Sequence, residues 1–212
     1  MNGQPHFPMT PDENARIALE AWKKVVQTQE HFNEICMKVR TLYATVLAAI
    51  LSLYGVFLKD QQSHRVSVSD VSFDPILAIC FSIIVVTTLF YFVDKGWYHR
   101  LLLGAVSQGA EIERKWKSVL PEIQLGTKIS EHSPVDLSGS PKLVWLLSFF
   151  VSDVRLKENS CLHSDAKIEV FYKPIRGLAF FVLVLALLFG GVEVGNRSVA
   201  GLLWGAAKGI CG

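Results

Sequence analysis

Catalytic signatures are missing from this chain. It has no G-x-S-x-G, no glycine-rich phosphate loop and no H-E-x-x-H, so it is not expected to be an enzyme. Its four cysteines, Cys36, Cys80, Cys161 and Cys211, form no C-x-x-C pair. Cys161 and His163 make the one tight Cys/His pair, short of the four ligands of a zinc site, so neither a metal nor another cofactor is expected. The opening residues, MNGQPHFPMTPDENAR, lack the apolar core of a secretion signal, which implies that the N-terminus stays in the cytoplasm. Proline is absent between Pro11 and Leu58, and Gly55 is the one glycine there, so nothing has to interrupt a helix. The apolar runs carry no mid-membrane acid or histidine. That argues against a proton-coupled pump or a substrate transporter.

What is present in abundance is apolar surface. Half of the 212 residues are hydrophobic, too many for a soluble domain of this length. Three runs approach the ~20 residues a helix needs to cross a bilayer: Leu42 to Leu58, Pro75 to Val93 and Gly177 to Gly195. The run Leu143 to Val151 is too short. Flanked by Lys142, Asp153 and Arg155, it is expected to lie along the interface or pack on its neighbours. The tail with Lys208 is also short, and suits a re-entrant or surface position. Five Lys and Arg precede the first span and twelve lie between the second and third, against two in the loop 59–74 and two in the tail. The positive-inside bias puts the N-terminus and residues 94–176 in the cytoplasm, and the loop and tail outside.

The helices are expected to continue beyond the membrane. Thr10, Pro11 and Glu13 read as a helix start with a capping box. A coiled-coil-like stripe follows at Val25, Thr28, Phe32, Ile35, Val39, Leu42 and Val46. A second stripe, at Leu102, Ala105, Gly109, Ile112, Trp116 and Val119, leaves the second span and should end near Pro121. Paired antiparallel, the two extensions make a stalk that either transmits an input to the spans or only holds subunits together. Residues 122–141 read as loop, and Pro174 as a kink at the third span's entry. Small residues at four-residue spacing (Ala44, Ala48, Ser52; Ala78, Ser82; Ala186, Gly190) permit close helix packing, which favours a homo-oligomer.

Few residues stand out as functional. Ser52, Ser82, Thr87 and Thr88 are polar at bilayer depth and are the candidates for wetting a pore. Trp97, Tyr98, His99 and Arg100 fall just inside the cytoplasmic boundary, where they anchor the interface or couple stalk to span. His31 and His99 could meet across the stalk, though a structural role is the simpler reading. Arg114, Lys115 and Lys117 read as a solvated face or a contact for anionic lipid.

The stretches HFNEICMKVRTLYATVLAAI, entering span one, and DKGWYHRLLLGAVSQGAEIE, leaving span two, resemble the SLATT family of bacterial two-transmembrane effectors, as does the helix–span–short loop–span–helix layout of the first 118 residues. The resemblance implies an oligomeric inner-membrane effector of antiviral defence. Such an effector forms a pore or disrupts the membrane when triggered by a nucleotide messenger or an operon-encoded soluble partner. The third span and residues 122–212 depart from the two-span pattern. The expected fold is an all-α membrane protein: a long antiparallel hairpin of two spans plus a stalk, with a third transmembrane helix. Its parts are a cytoplasmic amphipathic helix (1–41), a two-span hairpin (42–93), a stalk helix (94–120), a small cytoplasmic region (121–176) and a third span with an outer tail (177–212). Membrane lipid is an expected partner and nucleic acid is not. A non-conducting scaffold that anchors and regulates a soluble effector is the alternative.

Overall fold

The computed structural model describes residues 10–59, 65–68, 70–152, 156, 158, 160–189, 191–194 and 197–198. The expected positions of Asp153, Arg155, Gly190, Gly195 and the tail with Lys208 and Cys211 lie outside them. Helix α1 runs unbroken over Pro11–Lys59, 49 residues or about 70 Å. Its start is the expected one, with the Glu13 amide donating to the Thr10 hydroxyl. A second long helix follows in three parts: α2 (Pro75–Tyr91), a π-helical segment (Phe92–Tyr98) and α3 (His99–Trp116). Asp74 caps it through the Ile76 amide at 2.9 Å, with Pro75 in the first turn. The second stripe ends where α3 ends, and Val119 lies beyond it, 56 % exposed.

The rest of the chain differs from the expected outline in three places. Residues 122–141 are not all loop, because Leu125–His132 form a short helix, α4. Strands β3 (Val135–Asp136) and β4 (Cys161–Leu162) then pair around α5 (Pro141–Phe150). The third long helix, α6, spans Ser164–Leu188: it begins well before Gly177 and stops short of Gly195. Pro174 is accommodated inside it. The residues beyond Leu188 that read as membrane span belong in part to a strand, β5 (Val192–Val194). It joins a four-stranded antiparallel sheet in the order β1 (Val66–Val68), β2 (Val71–Phe73), β5, β6 (Arg197–Ser198). The sheet ties the loop between spans one and two to the segment after span three, with Val71 opposite Val194 and Arg65 paired to Glu193.

Among the described residues three helices are thus long and apolar enough to cross a membrane, as in a multi-pass membrane protein. All three continue as amphipathic helix at the end opposite the sheet. Within the spans, Leu53, Val56, Phe81, Leu89, Leu178 and Phe181 are each more than half exposed, as lipid-facing side chains are.

The stalk forms as expected, with α1 packed on α3, and Val25 and Phe32 face inward as expected, but elsewhere the buried stripe of α1 moves to the next residue, Gln29, Cys36, Arg40 and Tyr43. Leu42 is 56 % exposed, whereas its neighbour Tyr43 is 1 % exposed. Ala18, Trp22, Val25, Gln29, Phe32, Cys36, Arg40 and Tyr43 face inward. The cause is polar pairing. Gln29 donates to the Ala105 carbonyl at 3.0 Å, and Arg40 and Tyr43 find partners on the opposing helix. Gly109 allows this approach, since a Cβ there would stand 2.7 Å from the Gln29 amide nitrogen.

Candidate functional site at the membrane boundary

Where α1, the π segment and α6 meet, the chain buries charge. Asp94 is fully enclosed. It accepts from Arg40 Nε at 2.7 Å and Nη2 at 3.3 Å, and from the Tyr172 hydroxyl at 3.2 Å. An ionised carboxylate can sit there only because those donors replace its water. The π segment contributes the geometry: the His99 amide donates to the Asp94 carbonyl five residues back, widening the turn. Burial, reinforced by the Asp94 carboxylate, pushes the Tyr172 hydroxyl well above its ordinary range and raises the Cys36 thiol. Tyr172 therefore remains a donor. Burial thus favours the neutral form of the Cys36 thiol.

Beside this cluster lies a second. Glu169 of α6 accepts from Lys95 Nζ at 2.5 Å, Lys173 Nζ at 2.8 Å and the Ser152 amide at 2.8 Å. Burial alone would raise its pKa, but these donors outweigh it and hold the carboxyl at about 2. The folded value lies below the ordinary 4.5, so Glu169 stabilises the fold above that value and ceases to as the pH falls toward 2. In detergent, the unfolding midpoint of the wild type should drop between about pH 5 and 3, and drop less steeply in Glu169→Gln. Identical pH slopes for the two proteins would contradict the assignment.

Aromatic rings seal the charges from the bilayer. Tyr43 packs against Tyr172 with ring centroids 4.9 Å apart and against Phe90 at 5.5 Å, with Leu47, Val86, Ile168 and Ile175 around them. The Tyr43 hydroxyl bonds Thr87 at 3.0 Å. One helical extension therefore cannot shift relative to another without disturbing either an ion pair or this cluster.

A third polar node lies at the far end of the stalk. Glu113 of α3 is 3 % exposed and accepts from the Trp22 indole at 3.1 Å, the Gly126 and Thr127 amides at 2.8 and 2.9 Å, and the Thr127 hydroxyl at 2.8 Å. It supplies the anion for the first turn of α4, and Gly126 leaves room for it. Burial acts to raise its pKa, but the hydrogen bonds prevail and lower it. Between these nodes a cleft of about 460 Å³ opens among α1, α3, α4 and the start of α6, lined by Gln29, His99, Leu102, Ile129, His163 and Ser164.

The residues singled out in the sequence fall in different places. Thr87 is enclosed and paired with Tyr43, while Ser52, Ser82 and Thr88 are exposed. Ser82 and Thr88 donate to the Ala78 and Ile84 carbonyls of their own helix. Trp97 is 59 % exposed and Arg100 is exposed, whereas Tyr98 is partly buried and His99 is buried. His99 Nε2 lies 3.0 Å from Asp165 Oδ1, close enough for an ion pair but not aligned for a hydrogen bond. His31 is exposed beside Phe32 and does not meet His99. Arg40, Asp94, Lys95, Glu113, Glu169 and Tyr172 escaped the sequence reading. The available signal was Asp94, an acid immediately following an apolar run with Arg40 at matching depth on the preceding helix. In comparisons with known proteins, no family model, no curated protein and no solved structure matches this chain.

Proposed function

We propose that this protein is an oligomeric inner-membrane effector of bacterial antiviral defence. In this account the N-terminus and stalk are cytoplasmic, and activation rearranges the spans into a pore or a membrane lesion. The observation that carries the oligomer is the outward position of the small-residue stripe. Ala44, Ala48 and Ser52 are exposed on α1, as are Ala78 and Ser82 on α2, because packing within the chain uses Tyr43, Leu47 and Thr87 instead. Faces of that kind suit close association with a second copy in lipid. The buried ion pairs supply the coupling, since a nucleotide or protein partner seated in the cleft touches helices that run directly into all three spans. The antiviral setting rests on the SLATT resemblance.

If the exposed faces of spans one and two meet in a pore, Ser52, Ser82 and Thr88 wet it. Ser52→Ala and Ser82→Ala, which keep the packing face small, combined with Thr88→Val should abolish single-channel conductance in planar bilayers while cross-linked oligomers persist. Full conductance from an assembled triple variant would remove these residues from the pore. Thr87 is best left unchanged in that experiment because its loss would also unpair Tyr43.

A further inference from the structure

We infer that the groove between α2, α6 and the end of α5 binds the headgroup of an anionic phospholipid, in the leaflet on the stalk side. The inference needs only that the long helices cross a membrane, and stands apart from any pore. The groove holds about 570 Å³. Ile84, Phe150 and Phe180 form apolar walls, and Gly177 leaves the floor open, with the Phe150 ring 3.7 Å from where a Cβ would stand. Lys173 and Arg176 are its two cations, and among the described residues no carboxylate lines it.

The two cations are not equivalent. Lys173 is occupied by Glu169 and the Ser152 hydroxyl. Arg176 has no ion-pair partner among the described residues, and its guanidinium lies over the Tyr91 ring, 6.0 Å from the centroid. A guanidinium without a carboxylate partner, lining an apolar slot, matches a phosphodiester that carries acyl chains.

Depth supports the same occupant. Arg176 immediately precedes the third apolar run, and Thr88 on the opposing wall lies close to the end of the second. Helix α5, with ten residues, is too short to cross. It nevertheless holds Trp145 77 % and Phe149 84 % exposed, as a helix lying at the level of the headgroups does. A free phosphate would use the cation but leave the aromatic walls without purpose.

The test is native mass spectrometry of the full chain, offered equal amounts of phosphatidylglycerol and phosphatidylcholine with matched acyl chains. Wild type should retain one phosphatidylglycerol per subunit with a preference of about fivefold, as one interfacial arginine provides. Arg176→Gln should bring the preference to parity. Gly177→Leu, which keeps both cations and fills the floor, should lower retention of the lipid itself. Inorganic phosphate should not displace it. Equal retention of the two lipids by wild type would overturn the inference, as would an undiminished preference in Arg176→Gln or undiminished retention in Gly177→Leu. Displacement by inorganic phosphate would reassign the site to a free anion and equally overturn it.

Discussion

Arg40→Leu should lower the unfolding midpoint in detergent by about 10 °C. The expectation follows from the asymmetry of the pair. Asp94 is wholly buried, whereas the Arg40 side chain is 28 % exposed. Removing the arginine leaves a buried carboxylate with only the Tyr172 hydroxyl and the weakly donating Cys36 thiol, at a cost of about 3–5 kcal/mol. Removing the acid, as in Asp94→Ala, leaves a guanidinium that can still turn toward water, so its cost should be smaller. Arg40→Lys should fall between wild type and leucine, because an ammonium cannot reproduce the two-nitrogen contact. The informative variant is the double one, Arg40→Leu with Asp94→Leu. Replacing both charges by apolar groups should restore most of the stability. If the pair also transmits the stalk's movement, the double variant should be stable and fail to respond to its trigger. A stable and fully responsive double variant would confine the pair to a structural role.

Glu113→Ala should release α4 from the stalk without unfolding the membrane helices. The substitution leaves the Trp22 indole, two backbone amides and the Thr127 hydroxyl without their acceptor. Each buried donor left unpaired costs about 1–3 kcal/mol, although α4 can recover part of this by opening to water. The effect should therefore be local. Exchange of the Gly126 and Thr127 amides should accelerate by roughly a hundredfold, equivalent to about 3 kcal/mol, while amides of α2 keep their protection. Glu113→Gln should behave similarly but more mildly, since its amide nitrogen faces donors. Unchanged exchange at Gly126 and Thr127 would show that Glu113 does not hold α4. The cleft shares Leu125 and Ile129 with α4, so this variant also tests whether the cleft depends on that contact.

Much of the architecture was legible because the bilayer writes long, one-sided signals. Span number, the uninterrupted first helix and the stalk follow from apolar length, proline placement and stripe spacing. The stripe on α1 was read correctly at Val25 and Phe32 but one position out elsewhere, because hydrophobic periodicity cannot weigh Gln29, Arg40 and Tyr43, which are inward through partners 44 to 76 residues away. The third helix was read too short because Ile168, Tyr172 and Ile175 repeat at helical spacing only if Pro174 is allowed within the helix. Proline is tolerated there because neighbouring groups can meet the freed carbonyl. The short strands escaped notice, being two or three residues each and dependent on register between distant segments. The polar nodes were invisible for the same reason: Arg40 to Asp94 spans 54 positions and Tyr172 to Asp94 spans 78.

Membrane potential tests the functional account most directly. Cells carrying this protein with its neighbouring genes would be followed with a voltage-sensitive dye through phage challenge. The account predicts depolarisation that begins before lysis and disappears when this protein alone is deleted. Protection from phage with the potential intact would contradict it and make the protein a scaffold for a soluble effector.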